Sequence, residues 1–135
     1  MAIVEVDRRI TGGVDTHLDV NVAAALDEIG GLLGVESFAT TAAGNDALIG
    51  WFDSFGHVDL VGVEGTGSYG ASLARALARR GVPVVEVDQP NRQRRRQAGK
   101  SDPIDAVEAA RAAQGGRARG LAKSRTGNVE AIRAL

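Results

Sequence analysis

Short apolar runs and polar breaks alternate along the 135-residue chain. The short runs at 11–16 and 21–26, the second rich in Val and Ala, flank His17-Leu18-Asp19, which predicts two adjoining strands with a tight turn. Gly30-Gly31 breaks the pattern before a third strand over 32–39. A helix follows from about 42 to 55, with a Thr at its cap and Leu48, Ile49 and Phe52 at helical spacing. Residues 60–64 read as a buried strand by the continuous apolar character that runs up to Glu64. A helix over about 68–80 comes next, then a strand over 82–87 introduced by Gly81. After a polar, basic stretch over 89–100, residues 102–113 predict a helix with Pro103 in its first turn. The last twenty residues start as a Gly/Arg linker and end in the beginning of another helix.

The order of elements is a meander of strands followed by strand-helix-strand units. Because such crossovers are right-handed, this predicts an α/β domain with a mixed sheet flanked by helices. That is the ribonuclease H-like order; actin-like ATPases and some Rossmann variants share pieces of it.

Length and composition narrow the picture. One domain is expected, and 44% hydrophobic residues can build an ordinary core. The chain has no cysteine, so a metal would be held by oxygen or by His17 and His57. Oxygen ligands favour magnesium, manganese or calcium. No apolar stretch approaches the ~20 residues that span a bilayer, and the N-terminal MAIVEVDRRI lacks a secretory pattern, so no membrane partner and a cytoplasmic location are expected. The net charge of −1 hides an asymmetry. Residues 1–91 carry 5 Lys/Arg and 13 Asp/Glu, a balance of −8, whereas residues 92–135 carry 11 and 4, a balance of +7. A basic tail on an acidic body suits a polyanionic partner.

Gly65-Thr66-Gly67-Ser68-Tyr69-Gly70 is a literal G-x-G-x-x-G between a strand and a helix, with Asp88 near the distance at which a dinucleotide site keeps its ribose-binding acid. Glu64 opposes that reading, because a carboxylate at the strand end would repel the pyrophosphate that the helix N-terminus should attract. The run also follows the fourth strand rather than the first. A plain close-packing turn is the bland alternative.

Glu64 has company. Asp15 lies in TGGVDTHLDV among apolar neighbours, where a carboxylate without a partner is costly. Asp102 and Asp105 in KSDPIDA are three apart and project from one side of a helix, although both also suit a helix start. Four carboxylates from three segments can meet at the C-terminal edge of the central strands, and converging carboxylates are usually reconciled by divalent cations. His17 reads as a surface or packing residue.

Three segments in order, GVDTH at 13–17, VEGTGSYG at 63–70 and KSDPIDAVEAARA at 100–112 behind a basic QPNRQRRRQAG, resemble the N-terminal domain of the insertion-sequence one-ten family of DEDD transposases. The resemblance covers roughly residues 10–115. It implies a RuvC-like fold, a catalytic and metal-binding tetrad at Asp15, Glu64, Asp102 and Asp105, a cofactor of two Mg2+ or Mn2+ ions, and DNA recombination through a junction-like intermediate. Some members are guided by a bridge RNA, and the full-length proteins are expected to form homo-oligomers. The family also has a C-terminal domain with a serine nucleophile, joined through a helical region. Residues 1–115 are thus expected to be the DEDD domain and 116–135 a basic linker and the start of a connecting helix. The serine domain is expected to be absent and the fragment inactive alone.

On this resemblance Asp15 is the central ligand, with Glu64 on one ion and Asp102 and Asp105 on the other. Gly65, Thr66, Gly67 and Ser68 would let a nucleic-acid backbone approach, and Arg92, Arg94, Arg95, Arg96 and Lys100 would contact phosphates. A stand-alone junction resolvase and a nucleotide-binding domain of the actin or Rossmann type are the competing expectations.

Overall fold

The computed structural model describes residues 8–65, 70–87 and 102–124, with backbone alone for Asp102 and 117–124. Its elements are β1 (Arg9–Thr16), β2 (Val20–Leu26), β3 (Leu32–Ala39), α1 (Ala42–Asp53), β4 (His57–Glu64), α2 (Ala71–Arg79), β5 (Val84–Glu86) and α3 (Asp102–Ser124). The strands form one five-stranded sheet in the order β3-β2-β1-β4-β5. The pairs β1/β2 and β2/β3 are antiparallel, whereas β1/β4 and β4/β5 are parallel. The meander builds one half of the sheet and the crossovers build the other.

Burial follows position. In β1 and β4, the two central parallel neighbours, nearly every residue is buried because helices cover both faces. The edge strand β3 is mostly half-buried or exposed. On one face Ile10, Val14, Ala23, Val61 and Val63 meet Leu48, Ile49 and Phe52 of α1 and Leu73 and Leu77 of α2. Thr41 caps α1, its Oγ1 accepting from Gly44 N at 2.9 Å.

The other face belongs to α3, which meets it with small residues. Ala106 packs with Val22 and Ala24, while Ala109 and Ala113 pack with Leu60 and Val87. A Cβ at Gly13 would stand 2.2 Å from Ala110 N and 2.4 Å from Ala106 O, and one at Gly62 would stand 2.7 Å from Ala109 O. The helix therefore lies directly on the backbones of β1 and β4. Arg111 Nη1 donates to Gly30 O at 2.8 Å and Gln114 Nε2 to Asp27 O at 2.9 Å. These contacts fix the helix direction. The turn after β2 lies at the edge where the antiparallel β1 starts, so α3 begins over the opposite edge, where β1 and β4 end.

Several boundaries differ from expectation. The strand expected over 82–87 is only Val84–Glu86, and α1 stops at Asp53 with Ser54 N–H turned back to Gly50 O. The helix expected over 102–113 continues to Ser124, so the Gly/Arg linker expected from 116 is helical through that residue. Ala, Arg, Leu and Lys are good helix formers, and the tether of Arg111 and Gln114 to the β2–β3 turn offsets about 1 kcal/mol for each of Gly115 and Gly116. Residues 125–135, where a connecting helix was expected to begin, lie outside the described residues.

Candidate active site

Asp15 and Glu64 are register partners on the parallel strands β1 and β4. Gly13 and Gly62, two residues earlier in each strand, face α3, and the two-residue alternation of a strand turns Asp15 and Glu64 the same way. Both are buried, at 0% and 4% exposure. Asp105 approaches from the helix above. It opens the buried stripe continued by Ala106, Ala109, Ala110 and Ala113, and Ala106 packs on Val22, the antiparallel register partner of Asp15. An acid that merely complemented the helix dipole would stay in water. Asp105 instead has 0% exposure, so the helix carries it to the sheet.

Three acids distant in sequence therefore lie on the α3 side of the sheet, at the edge where β1 and β4 end. Asp102 is the first residue of α3; its side chain is not described, nor are Thr66, Gly67, Ser68, Arg92, Arg94, Arg95, Arg96 and Lys100. Gly65 leaves β4 with φ +87, a conformation that L side chains rarely adopt.

His17 has a larger part in the site than its sequence context suggested. Its Nε2 donates to Asp15 Oδ2 at 2.9 Å, because the chain turns at once after β1 and brings the ring back over the strand end. The other oxygen, Asp15 Oδ1, is buried and has no hydrogen-bond partner among the described residues. Thr16 is a residue that the sequence left unmarked. Its Oγ1 donates to Glu64 O at 2.7 Å and also lies 3.0 Å from Gly65 O. A hydroxyl following a candidate ligand was the available signal, since a strand sends successive side chains to opposite faces.

Among the described residues, no group of three or more His, Asp or Glu side chains is arranged to hold a metal ion. The donor chemistry nonetheless fits a hard divalent cation. Asp15 and Glu64 are adjacent carboxylates held out of solvent, and Asp15 Oδ1 is an acceptor available for a ligand. Without a cation such neighbours repel.

A five-stranded mixed sheet in this order, with helices on both faces and acids at the ends of the central strands, is the ribonuclease H-like architecture expected from the element order. A family model for DEDD transposases of the insertion-sequence one-ten type, described as transposase, matches residues 12–135. The chain belongs to that transposase family and corresponds to its N-terminal domain, whose enzymatic work is on DNA. Comparison with curated proteins gave no match. No described helix is long and apolar enough to cross a membrane.

Proposed function

We propose that this domain binds divalent cations through Asp15, Glu64, Asp102 and Asp105 and uses them for DNA strand cleavage and exchange. The supporting observation is the register pairing of Asp15 with Glu64 beneath a helix that buries Asp105 on the same side. Asp15, on the central strand, would be the central ligand, with Glu64 helping to hold one ion and the two acids of α3 the other. Two bound Mg2+ or Mn2+ ions would supply charge neutralisation at a scissile phosphate and its leaving oxygen.

The chain's own residues do the positioning. His17 orients Asp15 through the 2.9 Å contact, leaving Oδ1 directed for ligation. Gly65, Thr66, Gly67 and Ser68 let a phosphate backbone come close, and Arg92, Arg94, Arg95, Arg96 and Lys100 hold the strand through its phosphates. The attacking group is the serine of a second domain, so strand exchange requires more than residues 1–115, with 116–135 leading toward that domain. A guide RNA and self-association, both on the family resemblance, and a cytoplasmic location, on the sequence pattern, complete the reading.

Calorimetric titration with Mn2+ tests the site. Binding is expected for the wild-type chain and is expected to vanish in Asp15→Ala and weaken in Glu64→Gln. Unchanged binding in both variants would show that these acids are structural. Cleavage of branched DNA by the chain alone would replace the two-domain reading with that of a stand-alone resolvase.

A further inference from the structure

Thr16 is 3% exposed and its hydroxyl meets two consecutive carbonyls, Glu64 O at 2.7 Å and Gly65 O at 3.0 Å. The β1–β4 ladder ends at the Asp15–Glu64 pair, so beyond it β4 has no strand partner to fix its course. The hydroxyl stands where the next ladder contact would have been. Gly65 O also accepts from Gly70 N at 2.9 Å, which ties the residue that precedes α2 to the same point. A Cβ on Gly65 would lie 2.5 Å from Thr16 Oγ1, and Gly65 has φ +87, so glycine is what lets the chain pass this close to the hydroxyl.

We propose that Thr16 is a positioning residue for the Glu64 carboxylate. It acts from the face opposite the acids. Asp15 points toward α3 and Thr16, the next residue, points toward α1 and α2, so the hydroxyl touches neither a cation nor DNA. By donating to the Glu64 carbonyl, which belongs to the Glu64–Gly65 peptide, and lying against the next carbonyl, that of Gly65, it sets the plane of the Glu64–Gly65 peptide and with it the direction in which Glu64 leaves the strand. The same contact gives Gly65 a role at the strand exit that is independent of nucleic acid. The inference rests on the reading of Asp15 and Glu64 as cation ligands.

The test measures Mn2+ affinity of the full chain by calorimetry, alongside thermal unfolding without metal. Thr16→Val removes the hydroxyl at nearly constant volume and is expected to weaken Mn2+ binding by about 10- to 100-fold, the usual loss when a group orienting a ligand is removed. Thr16→Ala, which can introduce no clash, carries the same expectation if the valine variant does not fold. Thr16→Ser keeps the hydroxyl and is expected to stay within about twofold of wild type. A merely structural role would lower the unfolding temperature of the valine and alanine variants and leave the affinity of the folded protein unchanged. That result, with Asp15→Ala abolishing binding, overturns the positioning role and spares the cation site. Mn2+ binding that survives in Asp15→Ala, or fails in wild type, brings down both.

Discussion

Gly13 and Gly50 show how differently one residue type acts in this domain. At Gly13 the missing Cβ is the space in which the backbone of α3 lies, with Ala110 N 2.2 Å and Ala106 O 2.4 Å from where it would be. Gly13→Ala has no flexible side chain to displace, so a loss of about 1–3 kcal/mol is expected in urea unfolding. Gly50 sits on the exposed side of α1 with nothing within 4 Å. There the same substitution removes only backbone freedom, and a gain of up to about 1 kcal/mol is expected. Equal effects at the two sites would show that α3 does not lie on β1 as described. The burial of Asp105 depends on this close approach, since the helix that seats on Gly13 also brings in the acid one residue before Ala106.

At the scale of elements, capping and edge position explain what propensity leaves open. Thr41 Oγ1 satisfies Gly44 N, so Thr41→Ala should cost about 1 kcal/mol of stability, read as a lower urea midpoint with an unchanged slope. The helix and strand pattern of 11–64 was legible in the sequence because both periodicities are strong there. Both ends of α3 were harder to read. Asp102, Pro103 and Asp105 serve equally as a solvated helix start and as the arm of a site, and only contact with the sheet separates these roles. Gly115-Gly116 resembles a helix end, yet hydrogen bonds from Arg111 and Gln114 to the turn at Asp27–Gly30 hold the preceding turn in place. Those partners lie more than eighty positions upstream, beyond the reach of any local pattern.

Across the whole molecule, charge is divided by position along the chain. The acidic part supplies the sheet and its carboxylates, and the basic part begins at Arg92, just before α3. If Arg92, Arg94, Arg95, Arg96 and Lys100 each meet one phosphate, DNA affinity should fall by about 10²–10³-fold between 50 and 200 mM salt, as measured by fluorescence anisotropy. A flat salt response would remove the phosphate role from this segment. Changing these five residues to Ser should reduce the salt slope and leave Mn2+ affinity at Asp15 intact, because the two functions occupy different residues.

The sequence alone determined the alternation of elements and which acids are candidates for a site, since apolar periodicity and glycine punctuation are local properties and the motif segments are contiguous. It also determined that any metal site would be built from oxygen ligands or histidine, because no cysteine is present. Tertiary structure alone decided the pairing of Asp15 with Glu64, the inward face of Asp105, the contact of His17 with Asp15 and the hold of Thr16 on the β4 exit. Each joins elements whose relative placement follows from strand register and from the depth to which a helix can settle on glycine, and neither quantity is written in a local stretch of chain.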